Sequence, residues 1–202
     1  MRPEANTPSP LRVIVSGGIG SGKSTVIEML HSMNAVVIEA DRIGHEVLEP
    51  GGPAYQEVAQ RWPSVVEEGR INRSLLAMIV FSDGEQLVTL EAMTHPHIRA
   101  EIENRVEVAS DRDVVVELPL ASDLMGSGWV RLVVDAPREI RLQRIVARGM
   151  AEHDAVNRLR MQPTRDEWIG GADIVVENSG SLAALEIEVR DIWERLHDEA
   201  DA

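Results

Sequence analysis

Residues 17–25 of the sequence read Gly17-Gly18-Ile19-Gly20-Ser21-Gly22-Lys23-Ser24-Thr25. From Gly17 to Ser24 it fits the pattern G-x-x-x-x-G-K-[S/T], a loop whose backbone N–H groups cradle phosphates. A β-branched apolar run precedes the loop, and a helix-like segment follows it. A plain glycine-rich turn would require neither the lysine nor the hydroxyl directly after the last glycine. We therefore predict a phosphate-binding loop between a buried strand and a helix.

The residue types of this loop predict that it binds ATP together with Mg²⁺. Glycines let successive N–H groups point inward, and the N-terminus of the following helix adds partial positive charge. Lys23 would reach the β- and γ-phosphates, and the Ser24 hydroxyl would ligate Mg²⁺. The residues expected to contact the nucleotide are Gly18, Ile19, Gly20, Ser21, Gly22, Lys23, Ser24 and Thr25.

Composition limits the class of protein. The 202 residues are 44% hydrophobic, which suits one ordinary domain with a sizeable core. The formal charge of −14 argues against a nucleic-acid partner, because a phosphate backbone requires a basic surface. No apolar run reaches the roughly 18 residues that a membrane span requires. The absence of cysteine excludes disulfides and thiolate zinc sites, and it fits a cytoplasmic protein.

Five short apolar runs predict the strands of one sheet: 11–16, 35–38, 113–117, 129–135 and 173–177. Helical patterns alternate with these runs, so we expect an α/β fold with a mostly parallel sheet. The last segment, 182–196, is an amphipathic helix. We expect its apolar face to pack on the chain's own sheet, which favours a monomer.

These patterns divide the chain into a loose, proline-rich tail, 1–10, and a single domain, 11–202. Within the domain we expect a core at 11–40, 111–147 and 171–202, a helical insertion at 41–110 and a short basic lid at 148–170.

The insertion is predicted to contain helices and no strand. One helix is expected at 84–93 and a second at 96–109, with Pro96 in the first turn of the second. His95 and His97 flank this proline, and two histidines are too few ligands for a metal site.

Two acids follow predicted strands. Asp41 comes after the second strand, at the edge where parallel sheets bind ligands, and it also stands where it could cap the next helix. Glu117 ends the third strand. It either holds Mg²⁺ through water or caps the strand end.

Three arginines, Arg141, Arg144 and Arg148, share one face of the predicted helix 138–150. They either contact phosphate or pair with surface acids such as Glu139. Because the helix follows a strand of the nucleotide-binding sheet, we favour phosphate contact.

In their order and spacing, the motifs resemble those of the dephospho-CoA kinase family. The resemblance runs from about Leu11 to Leu196. Its most specific elements besides the loop are Glu39-Ala40-Asp41, His95-Pro96-His97-Ile98 and Asn178-Ser179-Gly180. Further matches are Glu49-Pro50-Gly51, the run Gly69-Arg70-Ile71-Asn72-Arg73, Pro119-Leu120, Arg144, Arg148, Arg158-Leu159, Gln162 and Ala172-Asp173.

The resemblance implies a three-layer P-loop kinase fold and ATP-dependent phosphorylation of the ribose 3′-hydroxyl of dephospho-CoA, the last step of coenzyme A synthesis. It implies that Asp41 is the catalytic base. Arg144 and Arg148 would be lid-side arginines that neutralise the transferring phosphoryl group, and Asn178 would lie beside adenine. The insertion 41–110 would hold the acceptor.

Some positions depart from the family pattern. Glu39 stands where the family usually has Asp, and Ala121-Ser122-Asp123 stands where the family tends to have Leu-aromatic-Glu. Near the position of Trp168 the family often has an arginine. These changes bear on acceptor affinity and lid chemistry. Two alternatives therefore remain: a kinase of another nucleoside or small molecule, and a nucleotide-binding regulatory protein without turnover.

Overall fold

The computed structural model describes residues 9–118 and 124–201. Most of the predicted tail, the Pro119-Leu120 match and the Ala121-Ser122-Asp123 departure therefore lie outside the described residues. In chain order the elements are β1 (Arg12–Ser16), α1 (Lys23–Ser32), β2 (Val36–Glu39), α2 (Ala40–Glu46), α3 (Tyr55–Arg61), a short 3-10 helix (Pro63–Val65), β3 (Val66–Glu67), β4 (Arg70–Ile71), α4 (Arg73–Ser82), α5 (Gly84–Val108), β5 (Val114–Glu117), β6 (Val130–Asp135), α6 (Arg138–Ala147), α7 (Glu152–Arg160), α8 (Arg165–Ile169), β7 (Ile174–Glu177) and α9 (Leu182–Ala200).

Five of the strands form one sheet in the order β2-β5-β1-β6-β7. β1 pairs in parallel with both β5 and β6, and β6 pairs in parallel with β7. Each of the five predicted strands is present, and the predicted α/β class is confirmed. β1 is central, so the loop that follows it opens at the middle of the sheet's carboxyl edge.

The strands are apolar on both faces, and alternate residues pack on α1 and α9. Val13, Val15, Leu132 and Val134 lie in one buried cluster with residues of both helices. From α9 the cluster takes Leu185, Val189, Ile192, Trp193 and Leu196. The expectation that the last helix packs on the chain's own sheet is therefore confirmed.

The chain forms two compact units. One contains the residues up to Ile38 and those from Ala109 onward, and so includes α1, α6 to α9 and most of the five-stranded sheet. The other, Glu39–Val108, is mainly helical, and α5 packs there against α2, α3 and α4. Ile43, Val58 and Ile102 are fully buried within this second unit.

The predicted break before Pro96 is wrong, because Pro96 lies inside the continuous helix α5. An internal proline removes one backbone N–H donor and crowds the preceding turn. Here α5 packs against three neighbouring helices, and this packing favours a helix that continues through the proline.

The prediction of an insertion without strands is also wrong. β3 and β4 form a small antiparallel hairpin, with Val66 opposite Ile71. Its two turn residues, Glu68 and Gly69, have φ values of 49° and 77°. A two-residue hairpin turn of type I′ requires positive φ at both positions. Strands of two residues are too short to show an alternating pattern in the sequence.

The basic stretch after β6 differs from the prediction in where its first helix ends and in containing one further helix. α6 ends at Ala147, before the predicted Met150, because Gly149 adopts a φ of 96°. α8 was not expected, although the Thr164 side chain and Glu167 form a capping box at its start. The buried Trp168 lies on this helix.

Within the described ranges, none of the helices is both long and apolar enough to cross a bilayer.

Candidate active site

The phosphate-binding loop joins the end of β1 to the start of α1. α1 begins at Lys23, and Gly22 is its N-cap with a φ of 99°. A side chain at Gly17 would place its Cβ 2.5 Å from the carbonyl oxygen of Val134. Glycine at these two positions therefore permits the left-handed turn and the close approach to β6. The first N–H groups of α1 face the carboxyl edge of the sheet, where they suit a phosphate.

Lys23 lies beside Glu117, because the strand that ends at Glu117 neighbours the strand that leads into the loop. β5 pairs with β1, and Val15 of β1 is in register with Glu117 at the end of β5. The Lys23 Nζ contacts the Glu117 Oε1, and both side chains are mostly buried. A cation and a carboxylate thus meet at the mouth of the loop. Lys23 is also the only lysine in the sequence.

Arg144 and Asn178 both donate hydrogen bonds to the backbone of the loop. The Arg144 Nη1 donates to the Ser21 carbonyl oxygen at 3.1 Å, and its Nη2 donates to the Asn178 Oδ1 at 3.1 Å. The Asn178 Nδ2 donates to the same Ser21 carbonyl oxygen at 2.8 Å. Asn178 follows β7 and is buried. The structure thus brings both predicted residues to the loop, through its backbone.

Arg141, one turn earlier on α6, makes a second set of loop contacts. Its Nε donates to the Ile19 carbonyl oxygen at 2.9 Å, and its Nη2 donates to the Gln162 Oε1 at 2.6 Å. Only 9% of Arg141 is exposed. Burial lowers the pKa of this guanidinium, while the nearby Asp135 carboxylate opposes that shift.

Arg141 and Arg144 do not follow the alternative in which these arginines pair with surface acids. Neither forms an ion pair with Glu139 or Glu152 among the described residues, and both instead donate to neutral oxygens at the loop. Their positive charge therefore lies beside the phosphate-binding backbone. Arg148 differs, since it is the exposed C-cap of α6.

Asp41 lies in the first turn of α2 and is exposed. The N-cap of that helix is Glu39, so the alternative in which Asp41 caps the helix does not hold. Asp41 comes two residues after the end of β2 and belongs to the mainly helical unit.

Oxygen ligands suited to Mg²⁺ are present at the loop. Ser24 is exposed in the first turn of α1, and the Glu117 carboxylate ends the adjacent strand. In the described ranges, no group of three or more His, Asp or Glu side chains is arranged to hold a metal ion. This donor set fits Mg²⁺, which proteins commonly bind through one or two side chains together with waters and substrate phosphates.

Two contacts near the loop were not anticipated as part of the site. Gln162 reaches the loop, and its Oε1 accepts from the Ile19 N–H at 2.9 Å. Asp135, buried at the end of β6, accepts from the Arg165 Nε at 2.7 Å. Asp135 could have been predicted to lie near the site, because it is the acid that ends an apolar strand. Nothing in the local pattern pointed from Gln162 to Ile19.

A loop of this pattern after the central strand of a parallel sheet, with its lysine beside a strand-end carboxylate, defines a P-loop nucleotide-binding protein. A family model for dephospho-CoA kinase matches residues 11–184. The chain belongs to the dephospho-CoA kinase family.

Individual relatives agree over nearly the whole chain. A dephospho-CoA kinase of Thermobifida fusca (strain YX) is 38% identical over 92% of this chain and 96% of its own length. Among solved structures, TT1252 from Thermus thermophilus superposes with a TM-score of 0.78 at 34% identity, covering 93% of this chain and 98% of that one. A dephospho-CoA kinase from Campylobacter jejuni gives a TM-score of 0.67 at 27% identity, covering 93% and 97%.

Proposed function

We propose that this chain transfers the γ-phosphoryl group of ATP to the ribose 3′-hydroxyl of dephospho-CoA, the final step of coenzyme A synthesis. The observation that carries this proposal is the match of residues 11–184 to the family of that name. The contact of Lys23 with Glu117 and the arginines at the loop support it, since phosphoryl transfer depends on positioning and charge neutralisation.

In the proposed reaction, a bond forms between the acceptor 3′-oxygen and the γ-phosphorus while the bond from that phosphorus to the β–γ bridging oxygen breaks. ADP leaves, and the hydroxyl proton passes to the Asp41 carboxylate. The loop N–H groups and the Lys23 ammonium hold the ATP phosphates. The exposed position of Asp41 leaves its carboxylate open to a substrate hydroxyl.

We assign the acceptor to the mainly helical unit Glu39–Val108 and the nucleotide to the unit that carries the loop. The stretch 148–170 is proposed as the lid, and exposed Arg148 at its start as a contact to the nucleotide phosphates. Asn178 is proposed to serve the nucleotide site by holding the Ser21 carbonyl while the turn after β7 borders the adenine. A cytoplasmic location and a monomeric state remain predictions.

When bound, Mg²⁺ would neutralise the β- and γ-phosphates, with Ser24 as a direct ligand and Glu117 holding it through water. Replacing Glu117 with Gln keeps the shape of the side chain and removes its charge. We expect Glu117→Gln to raise the Mg²⁺ concentration for half-maximal activity about tenfold, measured by titrating Mg²⁺ at fixed ATP. The exposed Glu199→Gln is the matched control. An unchanged Mg²⁺ requirement in Glu117→Gln would leave Glu117 with no role at the metal.

Arg144 is proposed to stabilise charge that develops on the transferring phosphoryl group, as well as to hold the loop. Arg144→Ala should lower kcat about 100-fold, because a preorganised cation acts most strongly in the transition state. Steady-state kinetics with both substrates measure this effect, and the exposed Arg138→Ala serves as the control. Wild-type kcat in Arg144→Ala would exclude this role.

An acceptor panel separates the proposal from the two alternatives. With ATP and Mg²⁺ in each reaction, dephospho-CoA should exceed nucleosides, shikimate and gluconate by orders of magnitude in kcat/KM. A better acceptor elsewhere in the panel would favour a kinase of another small molecule. ATP binding without turnover of any acceptor would favour a regulatory protein.

A further inference from the structure

Both polar groups of the Ile19 backbone are held by side chains from outside the loop. The Ile19 N–H donates to the Gln162 Oε1 at 2.9 Å, and its carbonyl oxygen accepts from the Arg141 Nε at 2.9 Å. The two side chains also bond to each other, since the Arg141 Nη2 donates to the Gln162 Oε1 at 2.6 Å. Ile19, Arg141 and Gln162 therefore form a closed ring of three hydrogen bonds.

The packing around Arg141 fixes this ring in place. Arg141 is buried, and a buried guanidinium requires partners for its N–H groups because desolvation is costly. The Ile19 carbonyl and the Gln162 amide oxygen supply these partners. Losing either one would leave part of a buried cation without an acceptor.

Two glycines of the loop lie too close to Arg141 to carry a side chain. A Cβ at Gly18 would overlap the Arg141 guanidinium, and a Cβ at Gly20 would lie 2.7 Å from the Arg141 carbonyl oxygen. The general loop pattern leaves both positions open to any residue. In this chain they are glycine, so the loop and Arg141 fit together as one unit.

We propose that Arg141 and Gln162 are positioning residues that fix the Ile19 peptide and thereby aim the N–H groups of the phosphate loop at ATP. The proposal rests on the proposed function in so far as ATP is the nucleotide. Gln162 lies just after α7, in the stretch 148–170, so the ring also ties that stretch to the loop. Neither residue needs to touch a substrate to have this effect.

If the loop N–H groups point away from the phosphates, nucleotide binding should weaken while the binding of the acceptor stays unchanged. Misplacement of a binding group by about 1 Å costs up to roughly 100-fold in rate. We expect loss of the Gln162 acceptor to raise the Kd of a non-hydrolysable ATP analogue about tenfold. The KM for dephospho-CoA should stay within twofold of wild type.

The test uses Gln162→Met, which keeps the length of the side chain and removes its acceptor. Gln143→Met, at an exposed position of α6, is the matched control. Calorimetry gives the affinity for the ATP analogue without acceptor, and amide hydrogen exchange gives the protection of the Ile19 N–H. We expect weaker analogue binding and faster exchange at Ile19 in Gln162→Met only. Gln162→Glu, which keeps an acceptor oxygen, should restore the protection.

Wild-type analogue affinity and wild-type Ile19 exchange in Gln162→Met would overturn the proposal. Tighter analogue binding in that variant would also overturn it, since Gln162 would then compete with the nucleotide for the Ile19 N–H. Both readouts are obtained without dephospho-CoA. Failure of the wild-type chain to phosphorylate dephospho-CoA would therefore count against the proposed function and leave this test intact.

Discussion

Lys23→Ala should lower kcat/KM for ATP by about 1,000-fold. The Lys23 ammonium is the cation at the start of α1, where it would hold the β- and γ-phosphates as charge develops on them. Removing one preorganised donor from a transition state costs about 100- to 1,000-fold. Loss of lysine also leaves the Glu117 carboxylate without this cation at the mouth of the loop, where it would repel the phosphates. Steady-state kinetics at saturating dephospho-CoA measure the loss.

Two further variants separate these contributions. Lys23→Ala combined with Glu117→Gln removes the uncompensated carboxylate, and it should recover only a small part of the activity. Lys23→Arg keeps the charge but not the compact shape of the ammonium, and it should remain impaired. If Lys23→Ala kept more than a tenth of wild-type kcat/KM, the loop would not hold the transferring phosphate as proposed.

Asp41→Asn should lower kcat by about 100- to 1,000-fold while the affinity for an ATP analogue stays unchanged. Asparagine has nearly the same shape as aspartate but cannot accept the hydroxyl proton. General base catalysis contributes about 100- to 10,000-fold in enzymes. Measurement of kcat together with analogue binding separates a chemical role from a binding role.

The control for this variant is Asp198→Asn, at an exposed position of α9. It carries the same loss of charge far along the chain from the second strand. A near-normal kcat in Asp41→Asn would show that another group takes the proton. A loss confined to analogue affinity would place Asp41 at the nucleotide and not at the acceptor.

The sequence was sufficient to predict the sheet and the position of the phosphate loop. The five strands are short runs of mostly β-branched residues, and the three central ones, β1, β5 and β6, are buried on both faces, as is typical of a parallel sheet. The loop is a local motif, so Lys23 and Gly22 could be placed without knowing the rest of the fold. Glu117 was expected to hold Mg²⁺ or to cap its strand, and its contact with Lys23 follows from the pairing of β5 with β1, which no local pattern gives.

The features that were missed depend on contacts between distant parts of the chain. Pro96 is tolerated inside α5 because neighbouring helices pack against that helix, and local propensity alone predicts a break. Gln162 meets Ile19 across 143 positions of sequence, and no periodicity relates the two. The arginine pattern on α6 was visible in the sequence, and contact with phosphate stays a prediction. The hydrogen bonds from Arg141 and Arg144 to loop carbonyl groups and to side-chain amide oxygens were not anticipated.

The most direct test of the proposed activity is incubation of the purified chain with dephospho-CoA, ATP and Mg²⁺, followed by phosphorus NMR and mass spectrometry of the products. We expect one ADP for each coenzyme A formed, with the new phosphomonoester on the ribose 3′-oxygen. Lys23→Ala, treated in the same way, should form almost none. ADP release without phosphorylated acceptor, or a phosphate on another hydroxyl, would contradict the proposed reaction.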